Sequence, residues 1–143
     1  MFRKTGHIHF IGIGGIGMSG MAELLQKLGF QISGSDSALS EKTTRLLELG
    51  IQVYEGHEGS NVLDSDVVVY SSAVPKDNPE IVEAIKQNIP VIRRAEMLGE
   101  LLKVKSTSVA IAGTHGKTST SSILGAILTE SNLDPTLVIG GIV

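Results

Sequence analysis

The amino-acid sequence predicts an α/β fold in which a five-stranded parallel sheet carries helices on both faces. Apolar segments with strand character alternate with segments of helical periodicity from the N-terminus to about residue 105. The segment "DVVVYSS" at 66–72 contains a continuous β-branched run, which is typical of a strand covered on both faces. A glycine-rich loop follows the first strand and precedes the first helix, as in nucleotide-binding sheets.

Each element of this sheet has its own signal. We expect strands at 7–13, 30–36, 51–54, 66–72 and 90–93, and helices at 18–28, 41–49, 79–88 and 95–103. Gly29 and Gly50 follow the first two helices, where glycine commonly ends a helix. Asn78 and Pro79 have the residue types preferred at the cap and the first position of a helix.

Composition excludes several classes of protein. The chain has 143 residues, 41% of them hydrophobic, with no cysteine, so disulfides and cysteine-ligated metals are excluded. The net charge is −3 and the basic residues are scattered, which argues against a nucleic-acid surface. No apolar stretch reaches the roughly 18 residues that a membrane span needs. We therefore expect a cytoplasmic protein that contacts neither nucleic acid nor membrane.

The first glycine loop has the GxGxxG pattern and occupies residues 12–17. A strand before it, a helix after it and Asp36 at the end of the next strand complete the context of a Rossmann-like nucleotide site. Backbone N–H groups at the start of a helix attract a pyrophosphate. The residues expected to bind it are Gly14, Gly15, Ile16 and Gly17. A structural turn without a ligand is the alternative.

Two serines extend this predicted site. If the strand order is 3-2-1-4-5, the sheet changes direction between its first and fourth strands, and ligands bind outside the carboxyl ends there. Ser71 and Ser72 end the fourth strand and would face the glycine loop, unless they merely start a surface loop. Asp36 has the usual position of a partner for ribose hydroxyls. This half of the chain alone indicates a binder of a dinucleotide, NAD being common, or of a nucleotide sugar.

A second glycine loop begins after a short polar boundary near residue 105. Gly113, Thr114, His115, Gly116, Lys117 and Thr118 lie between an expected strand and an expected helix, the context of a phosphate-binding loop. Position 111 is Ile111, where the general pattern has glycine. In such loops the lysine, here Lys117, neutralises the β and γ phosphates of ATP, and the hydroxyl of Thr118 can hold Mg²⁺. We expect residues 106–143 to form the first βαβ unit of a P-loop ATPase domain.

Read together, the two loops resemble the N-terminal part of the Mur ligase family, the ATP-dependent ligases of peptidoglycan synthesis. The resemblance spans essentially the whole chain and rests on segments in the family's order: "GIGGIGMSG", "SGSD", "SSAVPKDNPEI", "PVIRRAEMLGELL" and "AGTHGKTST". The shortened second loop has the Mur ligase form. His115 within it is similar to the form in members that use UDP-muramate substrates.

The resemblance implies a UDP-substrate domain at residues 1–105 and the start of the ATP-binding domain at 106–143. It implies that Arg93 and Arg94 contact substrate phosphate or the neighbouring domain, although a solvated pair is equally consistent with the sequence. His57 could approach the uracil, but an exposed loop histidine is the simpler interpretation, and it is left out of the predicted site. His7 and His9 are interpreted as residues on a strand face.

The resemblance also implies a reaction. ATP phosphorylates the carboxylate of UDP-N-acetylmuramate, and L-alanine attacks the acyl phosphate. ATP and Mg²⁺ would be held by Gly113, Thr114, His115, Gly116, Lys117, Thr118 and Ser119, with Lys117 catalytic and Thr118 at the metal. The alanine site would lie outside this chain, so we expect an incomplete, inactive ligase.

Two alternatives stay open. The first is a ligase that attaches a recycled tripeptide to the same UDP-sugar, although "SSAV" and "RRAEMLGELL" favour the alanine-adding enzyme. The second is a non-catalytic module that binds NAD or a nucleotide sugar. That interpretation fits the first domain but leaves the second glycine loop without a role.

Overall fold

The computed structural model describes residues 6–104, with side chains as far as residue 100. Five strands form one parallel sheet in the order β3-β2-β1-β4-β5. The strands are β1 His7–Ile11, β2 Gln31–Asp36, β3 Gln52–Glu55, β4 Val67–Tyr70 and β5 Val91–Arg93. The helices are α1 Met18–Lys27, α2 Glu41–Glu48, α3 Pro79–Lys86 and α4 Arg94–Val104, with a short 3₁₀ helix at Gly59–Val62. The predicted five-stranded parallel sheet and its strand order are confirmed.

Helix ends follow the signals seen in the sequence. Gly29 and Gly50 adopt φ angles of 102° and 86° just after α1 and α2, a conformation that favours glycine. The Asn78 side chain accepts a hydrogen bond from the Glu80 N–H at 2.9 Å, and Pro79 is the first residue of α3. A capping box between Ser40 and Thr43, which the sequence analysis did not identify, starts α2.

The first and fourth strands are shorter than expected. β1 ends at Ile11, because the N–H groups of Gly12 and Ile13 both turn to the carbonyl of Ser35, at 2.8 and 3.0 Å. Gly12 has a φ of 80°, which is incompatible with an extended strand. β4 ends at Tyr70, before the two serines. The glycine loop therefore begins immediately over the end of β2. The 3₁₀ helix, which packs against α3, was also not expected.

One face of the sheet has an aliphatic core under α1, α2 and α4. Strand residues alternate between the two faces, so Ile8 and Phe10 of β1 point to this side with Ile32 of β2. The helices contribute methionine and leucine at helical spacing. The buried members of this cluster are Ile8, Phe10, Ile13, Met18, Met21, Ala22, Leu25, Ile32, Leu46, Ile51, Val67, Val69 and Met97.

The opposite face, under α3 and the 3₁₀ helix, combines a small apolar cluster with polar side chains. Its apolar members are Ile11, Val62, Val68, Ile81 and Ala84. The alternation of strand residues also brings His9, Ser33 and Ser35 to this face, all of them buried. Glu80, in the first turn of α3, is completely buried against them. A buried carboxylate requires compensating donors, and these polar residues supply them.

The Glu80 carboxylate is enclosed by hydrogen bonds. The nitrogen Nε2 of His9 contacts Oε1, and the Ser35 hydroxyl donates to Oε2 at 2.6 Å. His57, which follows β3, contacts Oε2 through Nδ1 at 2.7 Å. Burial raises the pKa of the Glu80 carboxyl, but the hydrogen bonds from His9, Ser35 and His57 lower it by more. The pKa therefore lies below its ordinary value.

Two predicted features lie outside the described residues. The boundary near residue 105 and the βαβ unit expected at 106–143 both remain predictions. The second glycine loop belongs to that part of the chain.

Replacing Glu80 by glutamine should destabilise the domain and do so in a pH-dependent way. Removing the charge weakens the three hydrogen bonds to this buried carboxylate, which should cost roughly 3 kcal/mol. Because the pKa of Glu80 is lower in the folded than in the unfolded state, its ionised form stabilises the fold at neutral pH. That contribution is lost as the pH falls below about 4 and through the folded-state pKa. Urea unfolding of both proteins between pH 7 and pH 3 measures this difference.

The matched control is Glu83→Gln, one turn along the same helix, where a half-buried side chain accepts a solvent-exposed hydrogen bond from Gln87. We expect it to change the free energy of unfolding by less than about 0.5 kcal/mol. Equal effects of the two substitutions, or a Glu80→Gln effect that is independent of pH, would contradict the prediction.

Candidate functional site

The glycine loop has backbone donors at the start of α1 that no other described residue pairs. The Gly15 N–H turns back to the Gly12 carbonyl at 3.0 Å, and the carbonyl of Gly15 accepts from Met18 and Ser19. The N–H groups of Ile16 and Gly17 have no hydrogen-bond partner within residues 6–104. The first turn of α1 has neither an acidic residue nor a side-chain cap. This helix end therefore carries uncompensated partial positive charge that suits an anion.

Asp36 holds the glycine loop from the neighbouring strand. Its Oδ2 accepts a hydrogen bond from the Gly14 N–H at 2.9 Å. A Cβ atom at Gly14 would lie 2.9 Å from that oxygen and 3.0 Å from the Thr43 methyl group, so the close approach requires glycine. Asp36 is thus brought to the predicted loop, with one of its oxygens engaged by the loop itself. Its role toward ribose stays a prediction.

The two predicted serines lie at the same edge of the sheet. Ser71 and Ser72 directly follow β4, which pairs with β1 at the point where the sheet changes direction. Ser71 is half-buried and Ser72 is exposed, and neither hydroxyl has a partner among the described residues. The Val74 side chain of the same turn lies 3.9 Å from where a Cβ atom of Gly12 would stand. The serine turn and the glycine loop are therefore neighbours.

The two arginines separate in the structure. Arg94, the first residue of α4, donates from Nη1 to the carbonyl of Ile16 at 3.1 Å, so it lies against the glycine loop. Arg93 turns to Glu96, with Nε 3.2 Å from Oε1, in an exposed ion pair. Nothing in the sequence distinguishes the two arginines, but in the structure only Arg94 lies at the site.

His57 also lies at the carboxyl edge of the sheet, although it was not among the predicted site residues. The preceding residue, Gly56, donates its N–H to the Asp36 carbonyl at 2.7 Å. The His57 ring is half-buried, with Nδ1 2.7 Å from Glu80 and 3.0 Å from the Ser35 hydroxyl. A signal was available in the sequence, because His9, Ser33 and Ser35 are polar residues that share one face of two otherwise apolar strands. A polar face of this kind requires partners from elsewhere in the chain.

The predicted ATP-loop residues lie outside the described residues. They are Gly113, Thr114, His115, Gly116, Lys117, Thr118 and Ser119. Within residues 6–104, no group of three or more histidine, aspartate or glutamate side chains is arranged to hold a metal ion. In the same part of the chain, no helix has the length and apolar character needed to cross a membrane.

Comparison with known proteins gives consistent results. The family described as "Mur ligase family, catalytic domain" matches residues 7–106. The UDP-N-acetylmuramate–L-alanine ligase of Desulfotalea psychrophila is 55% identical over 141 residues, which cover 99% of this chain and 31% of that protein. The crystal structure of the Thermotoga maritima UDP-N-acetylmuramate-alanine ligase matches with a TM-score of 0.89 and 38% identity, over 96% of this chain and 32% of that one.

A second solved structure is similar as well. The UDP-N-acetylmuramate:L-alanyl-γ-D-glutamyl-meso-diaminopimelate ligase of Neisseria meningitides has a TM-score of 0.85 and 35% identity, covering 96% of this chain and 44% of that one. The chain spans about a third of the length of the curated relatives it matches. Since the family match covers well over half of the 143 residues, the chain belongs to the Mur ligase family.

Proposed function

We propose that the domain described here binds UDP-N-acetylmuramate, with the pyrophosphate over residues 14–17. The observation that carries this proposal is the pair of N–H groups of Ile16 and Gly17, which have no partner within residues 6–104. They lie at the positive end of α1, at the point where the sheet changes direction. The names of the similar ligases supply the identity of the sugar nucleotide. Gly14 and Gly15 let the backbone approach the phosphates.

The side chains around the loop have complementary roles in this proposal. Asp36 fixes the loop through Gly14. Its other oxygen, Oδ1, accepts from the Ala38 N–H at 3.4 Å and has a second lone pair for ribose hydroxyls. The hydroxyls of Ser71 and Ser72, unpartnered among the described residues, donate to phosphate or sugar oxygens from the neighbouring turn. Arg94 contributes a positive charge beside Ile16. The site thus places a cation, hydroxyl donors and backbone donors around one anionic group.

We further propose that the whole protein is an ATP-dependent ligase that joins L-alanine to UDP-N-acetylmuramate through an acyl phosphate. The γ-phosphoryl group of ATP converts the muramate carboxylate into an activated acyl group, which the alanine amine then attacks. Residues 113–119 would surround the ATP phosphates, Lys117 would neutralise charge on the transferring group, and Thr118 would hold Mg²⁺. A cytoplasmic location follows from these substrates.

The alternative acceptor is a tripeptide in place of alanine. The similarity to the Neisseria ligase supports it. Identities of 55–59% to four L-alanine ligases favour alanine. Assays of the whole ligase with each amine would distinguish the two.

Binding of the UDP-sugar should raise the melting temperature of the chain, because a ligand that binds only the folded state stabilises it by mass action. Thermal-shift titrations with UDP-N-acetylmuramate, UDP and NADH measure this. We expect stabilisation by the first two and none by NADH. Stabilisation by NADH alone would contradict the proposal and favour the non-catalytic dinucleotide module.

Arg94→Gln should weaken UDP-N-acetylmuramate binding about tenfold, because it removes a charge beside the glycine loop, an interaction worth about 1.4 kcal/mol. Arg93→Gln is the matched control, since that side chain pairs with Glu96 in solvent. Calorimetric titration gives both dissociation constants. Equal weakening by the two substitutions would show that the contact between Arg94 and Ile16 does not decide binding.

Phosphate release by the 143-residue chain with ATP, L-alanine and UDP-N-acetylmuramate should stay at background. The residues span about a third of the relatives' length, and the resemblance places the alanine site outside them. A coupled phosphate assay tests this expectation, with Lys117→Ala and Lys103→Ala as paired variants. Alanine-dependent release that Lys117→Ala abolishes and Lys103→Ala retains would show that these residues suffice for the reaction.

A further inference from the structure

A chain of hydrogen bonds runs from the surface, at a backbone carbonyl, to the buried Glu80 carboxylate. The Asp64 carbonyl contacts His7 Nδ1 at 2.9 Å, and His7 Nε2 contacts the Ser33 hydroxyl at 2.7 Å. The Ser33 hydroxyl contacts His9 Nδ1 at 2.8 Å, and His9 Nε2 contacts Glu80 Oε1. Both ends of this chain accept hydrogen bonds only.

At the Glu80 end of this chain, Nε2 of His9 donates to Oε1, because a carboxylate oxygen accepts. The other oxygen, Oε2, has separate partners.

The contacts at Oε2 determine the tautomer of His57. The Ser35 hydroxyl and His57 Nδ1 both point to this oxygen, at 2.6 and 2.7 Å. Because a carboxylate oxygen accepts, Nδ1 of His57 carries the proton, and in the neutral ring Nε2 then presents a lone pair. Nε2 has no partner within residues 6–104 and is not buried; the side chain is 24% exposed.

His57, which carries this acceptor, follows β3 at the edge of the sheet where the glycine loop and Asp36 lie. Ser35, which contacts the His57 ring, accepts at its carbonyl from Gly12 and Ile13. Gly56 is bonded to the carbonyl of Asp36. For a nucleotide with its pyrophosphate at α1 and its ribose at Asp36, the base extends along this edge toward β3. A hydrogen-bond acceptor there suits a base that has an N–H group on its ring edge.

We propose that Glu80 is a positioning residue that holds His57 with Nδ1 protonated, so that Nε2 accepts from the N3–H of a uracil base and selects uridine over cytidine nucleotides. Cytosine carries no proton on N3, so its N3 lone pair would face the lone pair of His57 Nε2 and be repelled by it. This inference rests on the proposed binding of a UDP-sugar. It adds the residue, His57, that distinguishes the base of that UDP-sugar.

The first test is the tautomer itself, which needs no ligand. Long-range nitrogen–proton spectra of the chain with ¹⁵N-labelled histidine, at pH 7.5, should show His57 with a protonated Nδ1 and a bare Nε2. His57→Ala assigns the signal by its loss. A signal from the Nε2–H tautomer, or from the doubly protonated ring, would overturn the assignment.

The second test is base selection. We expect the chain to bind UDP at least about tenfold more tightly than CDP. Glu80→Gln and His57→Ala should each reduce this preference to below about threefold, while Glu83→Gln should leave it unchanged. If Glu80→Gln does not fold, the comparison of His57→Ala with Glu83→Gln carries the test.

The outcomes separate this inference from the proposal on which it rests. Binding of UDP without preference over CDP, or a preference that survives in His57→Ala, would overturn the role of His57 and leave the UDP site standing. Failure to bind UDP at all would contradict the proposed function and the base selection together.

Discussion

The burial of one carboxylate, that of Glu80, is the constraint on which the carboxyl edge of this sheet depends. A buried ion without partners costs several kcal/mol, so its donors must stay in place for the domain to fold. Those donors come from three separate parts of the chain: β1, the end of β2 and the loop after β3. Glu80 itself lies in the first turn of α3. One side chain thereby holds together the segments that surround the candidate site.

The two faces of the sheet contribute different kinds of stabilisation. The face under α1, α2 and α4 is almost entirely aliphatic, and its burial supplies non-directional stabilisation. The face under α3 carries a directional network of histidine, serine and glutamate, and one of its members, Ser35, holds Gly12 and Ile13 of the glycine loop through its carbonyl. Hydrogen bonds restrict position more closely than apolar contacts do, because they depend on angle as well as distance. Side-chain positions are therefore restricted most closely on the face of the sheet that carries the polar network.

Much of the fold could be predicted from the sequence, because its signals are local. Helix caps such as Asn78 and stops such as Gly29 act over a few residues, and the alternation of strands and helices is enough to predict the parallel sheet. The strand order was reached only conditionally, through analogy with nucleotide-binding sheets, and the structure confirms it. The early end of β1 depends on a contact with Ser35, which no local pattern reveals.

The site was predicted less completely than the fold for the same reason. The glycine loop and Asp36 follow a known spacing, whereas Glu80 and His9 are 71 positions apart. Neighbours in sequence can also differ entirely in surroundings, as Arg93 and Arg94 do. Periodicity indicates which face a residue occupies but not which partner it meets there. Long-range polar contacts therefore require the assembled sheet.

The hydrogen bond between Asp36 and the Gly14 N–H affects how the proposed nucleotide would bind to the glycine loop. It fixes the shape of the glycine loop from within the protein, and the turn from Gly15 to Gly12 adds to that order. A nucleotide that binds there as proposed would meet a loop that the protein itself has ordered, so little of the interaction free energy would go into ordering the chain. Its association would be a docking event between rigid surfaces, and differences in affinity among nucleotides would appear mainly in their dissociation rates.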